Sequence, residues 1–257
     1  MTAPLNRTVM WLTFRQLFVR KRLIASVLLA LAPVAVSVLF HRNGRNVGEP
    51  TAVFLQQLYE LLVIGVILPL AAVIFATGAF GVDLEEGTIV HLLVKPLPRW
   101  QLVASRYVVA VIATLSVSLP AVILSWLVVG ADRPEASVLL AMAAGVAAAS
   151  LVYSAVFLPL GITSRRALVL GLLYIVVVEF LLARIAPGVR ALSIGQYALG
   201  VSSALTATDS QVLGFPGVRG PQPLAMSTVW VMGSILLVGG LAVALRKITT
   251  FEAAERL

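Results

Sequence analysis

Six long apolar runs dominate this chain and leave it one kind of structure to adopt. They lie at Leu23–Phe40, Gln57–Val82, Tyr107–Gly130, Val138–Ile162, Ala167–Ala186 and Ala225–Leu245. Each reaches or approaches the roughly 20 residues with which a helix crosses a hydrocarbon core. The first is short, and the segment before it can extend it. Composition excludes a soluble core: 60% of the residues are hydrophobic and 12% charged, whereas soluble domains carry about 25% charged residues. The expected fold is an all-α integral membrane protein. It has one domain over 1–257, six transmembrane helices and both termini on one side.

Charge sets the expected orientation. Of the 19 Lys and Arg residues, thirteen fall on one side of this topology, among them Arg20-Lys21-Arg22, Lys95, Arg99, Arg106, Arg165-Arg166 and Arg246-Lys247. The other six, Arg42, Arg45, Arg133, Arg184, Arg190 and Arg219, fall on the opposite side. Positive charge is retained in the cytoplasm, so the termini, the segment 83–106 and Arg165-Arg166 are placed there. The net charge of +8 is thereby a topology signal, and no nucleic-acid partner is needed to explain it. The absence of cysteine excludes disulfides, thiol catalysis and cysteine-ligated metals.

Residues 6–22 precede the first span. On a helical wheel Met10, Trp11, Phe14, Leu17 and Phe18 share one face, with Thr13, Gln16 and Arg20 opposite. This is the pattern of an amphipathic helix lying in the membrane interface, anchored by Trp11, Phe14 and Phe18.

Four runs contain proline, at Pro33, Pro69, Pro120 and Pro159. Each removes a helix hydrogen bond and invites a bend, either as packing irregularity or as part of a transport motion. The run Ala141–Ser150 is almost all small residues, which lets helix backbones approach closely within the chain. Glu179 lies deep in the fifth run, where an ionisable group must face a protein interior or a wet cavity. Structural pairing, with Arg184 as one candidate partner, and a place in a transport path are both open for it. Glu60 and His41 lie nearer the outer surface. The outer loop 187–224 is too small for a catalytic domain. Its first part can form an interfacial or re-entrant helix, and a lid or exit gate would suit it.

Catalytic signatures are missing. No G-x-x-x-x-G-K-[ST] loop, H-E-x-x-H or G-x-S-x-G occurs, so the chain has no phosphate loop for ATP. The two histidines, His41 and His91, fall on opposite sides of the expected topology. A histidine-based triad or metal site is therefore not supported, and neither catalytic nor metal-binding residues are assigned.

The polar segment 83–106 interrupts the apolar pattern between the second and third runs. It holds Asp83, Glu85 and Glu86, then Gly87-Thr88, then Leu92-Leu93, then Lys95-Pro96 and Arg99. Acids at the start of a short helix suit its macrodipole. Leu92-Leu93 offer a small apolar face, and Pro96 and Pro98 stop the helix. The order of acidic cluster, Gly-Thr, Leu-rich turn and Pro-x-x-Arg resembles the cytoplasmic signature of membrane permeases of ABC exporters, of the six-helix drug and polysaccharide type. The interfacial helix, the six spans and the long outer loop are similar too. Leu84 departs from the pattern, since such proteins often carry Arg there.

That resemblance implies a permease subunit, not itself an enzyme, in a multi-pass arrangement in a bacterial cytoplasmic membrane. A separate ABC-type ATPase, carrying the ATP and Mg, would grip a coupling helix built from Asp83, Glu85, Glu86, Gly87, Thr88, Leu92, Leu93, Lys95, Pro96 and Arg99, together with the interfacial helix. A second permease copy or homologue and the lipid bilayer would complete the assembly, with room for an accessory extracytoplasmic protein. No cofactor is implied in this chain. The rivals are a gradient-driven secondary transporter or channel, and a polytopic membrane enzyme using Glu179 or Glu60.

Overall fold

The computed structural model describes residues 7–18, 20–43, 51–85, 98–129, 135–164, 166–182, 192–206 and 224–255. Among these residues the regular elements are all helical and no strand occurs. In chain order they are α1 (Arg7–Leu17), α2 (Arg20–Asn43), α3 (Thr51–Leu58), a π-helical stretch Tyr59–Ile67, α4 (Leu68–Glu85), α5 (Arg99–Val128), α6 (Ala136–Thr163), α7 (Ala167–Tyr174), a second π-helical stretch Ile175–Leu182, α8 (Gly195–Thr206) and α9 (Met226–Glu255).

Among the described residues five helices are long and apolar enough to cross a membrane: Ile24–Arg42, Val53–Gly81, Arg99–Val128, Ala136–Thr163 and Met226–Thr250. They match five of the six expected spans. The run at Ala167–Ala186 is met by a shorter apolar helix, Ala167–Leu181. At about 1.5 Å per residue this falls short of a ~30 Å core, and residues 183–191 lie outside the described part. The third span starts two turns earlier than Tyr107, because Pro98, extended at φ −63° and ψ 130°, caps a helix beginning at Arg99.

The prolines do not break these helices. Pro33, Pro120 and Pro159 sit inside α2, α5 and α6. Pro69 is the second residue of α4, just past the first π-helical stretch, after which the Leu68 amide bonds to the Val63 carbonyl. Proline cannot donate to the residue four back and its ring crowds that carbonyl. A wider turn just before Pro69 relieves both.

At the centre of the bundle is α6, which packs against α4, α5, α8 and α9. Glycines allow the close crossings. A Cβ on Gly161 would collide with the Thr77 carbonyl of α4, and one on Gly145 with the Ala198 carbonyl of α8. On α9, Gly240 meets the Ala155 carbonyl in the same way. Ala155 is four residues before Pro159, so its carbonyl is the one that the proline leaves without a helical donor. A glycine Cα can approach such an oxygen closely. The small-residue run of α6 thus serves intrachain packing, as its composition predicts. By contrast α2 and α9 are only 17% buried over their apolar windows, and direct Ile24, Leu28, Trp230 and Val238 outward.

Candidate functional site

Two places in the bundle hold polar groups where apolar packing alone would be expected. The first is the end formed by α1, the end of α4 and the start of α5. Leu17 of α1 is fully buried, and Phe18 stacks on Phe75 of α4 with ring centroids 5.6 Å apart. The buried face of α1 is Val9, Thr13 and Leu17, while Trp11 and Phe14 point outward at 67% and 40% exposure. The expected wheel put Thr13 on the polar side, and the structure corrects this. Tertiary docking of α1 selects the face. The Thr13 hydroxyl tolerates burial because it donates to the Val9 carbonyl at 2.9 Å.

Asp83 and Glu85 fall in the last turn of α4, not at the start of a helix as the sequence suggested. Two arginines bring positive charge to the same end. Arg106, only 2% exposed, donates from Nη1 to the Ala79 carbonyl and lies 4.4 Å over the Phe80 ring. Arg22 lies so close to Gly78 that a Cβ there would sit 2.7 Å from its Nη1. Sequence reasoning counted Arg106 only as a topological charge. Its burial follows from the early start of α5, which places it one face inside the bundle. Arg99 opens α5 and is half-buried. Glu86, Gly87, Thr88, Leu92, Leu93, Lys95 and Pro96, and with them the expected coupling helix, lie outside the described residues.

The second place surrounds Glu179. The only acids of the six apolar runs are Glu60 and Glu179, and each falls in one of the two π-helical stretches. Widened turns of this kind re-aim side chains and recur at functional sites. Glu60 is 8% exposed and accepts a bond from Gln56 one turn earlier, at 3.3 Å. Glu179 is far better supplied. Its Oε1 accepts the Tyr153 hydroxyl at 2.8 Å and the Ile194 amide at 2.8 Å, with the Gly195 amide at 3.4 Å. Its Oε2 accepts the Ser193 hydroxyl at 2.5 Å. The carboxyl therefore joins its own π-helical stretch to the middle of α6 and to the N-terminus of α8.

Aromatic side chains wall this cluster. Phe157 lies between Tyr153 and Tyr174, with centroids 5.7 and 5.5 Å away, and the Tyr174 hydroxyl donates to the Leu192 carbonyl at 2.9 Å. Further along α8, the Tyr59 hydroxyl donates to the Met142 carbonyl at 3.0 Å beside the Gly145–Ala198 crossing. The helix expected in the first part of the outer loop is thus α8, held inside the bundle. Arg184, the candidate partner for Glu179, lies outside the described residues. Among the described residues, hydroxyls and backbone amides hold the carboxyl. Backbone amides leave no residue signature, which is why sequence inspection missed them. Among the described residues no group of three or more His, Cys, Asp or Glu side chains could hold a metal ion.

Comparison with known proteins adds one result. A family model described as ABC-2 family transporter protein matches residues 50–204. No curated protein matches the chain significantly. The matched region runs from α3 through α8 and contains the polar segment, the Arg106 contacts and the whole Glu179 cluster. With helices that can cross a membrane and more than half its length in that match, the chain belongs to the ABC-2 transporter family of membrane permeases.

Proposed function

We propose that this chain is the non-catalytic permease subunit of an ATP-driven exporter, in which a separate ATPase supplies the energy. The family match over residues 50–204 carries this reading. The absence of a phosphate-loop motif in the chain supports it, because ATP must then be bound elsewhere. In this reading the helix Ala167–Leu181 and the residues after it form a sixth span, and the α1 end of the bundle faces the cytoplasm. The segment from Asp83 to Arg99 is the coupling helix, gripped by the ATPase together with α1. Closure of two ATPase subunits on ATP drives these segments together and rocks two permease copies between inward- and outward-open forms. The substrate crosses along the permease dimer interface. The contacts of Leu17, Phe18, Arg22 and Arg106 support this reading, since they join α1, α2, α4 and α5 into one unit able to carry such a motion.

The test is purification of the tagged chain from its native membrane in a gentle detergent, with identification of what accompanies it. A stoichiometric soluble subunit bearing a phosphate-loop motif is the expected result. A chain that purifies alone even after crosslinking, and works on a gradient or without ATP, would replace this reading with a secondary transporter or a membrane enzyme.

A further inference from the structure

We propose that Glu179 is a positioning residue that fastens α8 inside the bundle, and that α8 is a gate whose opening requires this carboxyl to release its donors. The word gate rests on the exporter reading. The fastening rests on geometry alone.

A helix that begins inside an apolar bundle carries amides with no intrahelical acceptor, and these must be satisfied locally. At α8 each one has a partner. The Ile194 and Gly195 amides donate to Glu179. The Gln196 and Tyr197 amides close tight turns onto the Ser193 and Ile194 carbonyls at 3.2 and 3.0 Å. Glu179 thus supplies from another helix what an N-cap side chain normally supplies from the same one. Its negative end also faces the positive end of the α8 dipole. Gly195 is the residue that lets the carboxyl close over the helix. A Cβ there would lie 3.1 Å from Ile64 Cγ2 and 3.2 Å from Glu179 Oε2.

The remainder of α8 is held differently. Ala198 meets Gly145, and Gly200 lies against Val229 and Leu224. These are close approaches at small residues, and the Tyr59 hydroxyl adds a side-chain hydrogen bond with Ser202. At the N-terminal end of α8, four donors from α6, the turn before α8 and α8 itself converge on one carboxyl. Such an arrangement has two discrete states, bonds made or bonds broken, as a gate needs.

The chain has no cysteine, so a single introduced thiol reports access without interference. Val201, at 8% exposure on α8, makes none of the Glu179 contacts. In membrane vesicles, V201C should be protected from a membrane-impermeant maleimide when Glu179 is present. In E179A it should react at least about tenfold faster, since losing four hydrogen bonds to a part-buried acceptor favours the open population. E179Q should stay close to the parent, because its amide oxygen can still accept from Ile194 and Tyr153. Y153F, which keeps the carboxyl over α8 but removes its tie to α6, should accelerate labelling by a smaller factor.

A thiol at Val117, buried on α5 at 3% exposure, should remain protected in every background. Equal labelling of V201C with Glu179, E179A and Y153F overturns the proposal. So does simultaneous exposure of V117C, which would mean general loosening. A transport defect in E179Q as large as in E179A, with no change in labelling, would assign Glu179 to substrate contact instead. Should E179A fail to accumulate, Y153F decides. The labelling readouts need no ATP, so absence of an ATPase partner would end the exporter reading and leave the fastening intact.

Discussion

The Arg106 guanidinium lies 4.4 Å over the ring of Phe80 while donating to the carbonyl of the preceding residue, Ala79. One side chain of α5 therefore holds both the ring and the backbone of α4, a turn before that helix ends. A planar guanidinium can stack and donate at once, which a lysine ammonium cannot do in the same geometry.

Arg106→Ala is expected to lower the melting temperature of the purified protein and to weaken coupling to the ATPase. A hydrogen bond from a charged donor contributes roughly 1.5–3 kcal/mol, and a desolvated cation–π contact about 2 kcal/mol. Arg106→Lys should recover part of the stability and less of the coupling. Thermal unfolding in detergent and ATPase activity measured with and without the permease check the two effects. Unchanged melting in the alanine variant would remove Arg106 from this role.

Adjacent glycines of α9 should respond with opposite sign. A Cβ at Gly240 would collide with the Ala155 carbonyl of α6, whereas one at Gly239 meets nothing within 4 Å. Gly240→Ala is expected to destabilise by about 1–3 kcal/mol through overpacking. Gly239→Ala should stabilise by up to about 1 kcal/mol, since alanine loses less backbone freedom in a helix. Paired melting curves measured in the same detergent test the contrast. Similar shifts in both variants would mean that α6 and α9 do not cross at Gly240.

Charge reversal in the polar segment should separate docking from folding. Glu86→Lys and Arg99→Glu are expected to leave membrane insertion and expression intact while abolishing ATP-dependent transport and retention of the soluble subunit on purification. Insertion is governed by the apolar runs, which neither change touches. Pull-down from solubilised membranes and vesicle transport check this, and normal coupling in both variants would count against docking through this segment.

Much of the architecture was legible from residue order. Apolar runs long enough to span a bilayer announced helices, because an unpaired peptide group is too costly in hydrocarbon for any open structure to survive there. The small residues of α6 announced close packing, and the motif order around Asp83–Arg99 pointed to the permease family. A burial requirement for Glu179 was equally readable, since a carboxyl in an apolar run must find partners.

Which partners it finds was a tertiary matter. The donors come from two separate parts of the chain, Tyr153 and the stretch Ser193 to Gly195, and two of them are backbone amides that any residue would offer. The same holds for Thr13, placed on the buried face of α1 by docking that a helical wheel cannot represent. It holds for Arg106, which moved from a counted surface charge to a buried contact once α5 began at Arg99. The sequence alone determined that helices would form and which groups could not be left alone in an apolar setting. The fold decided their partners, because a hydrogen bond depends on distance and direction between elements, and neither is encoded in local periodicity.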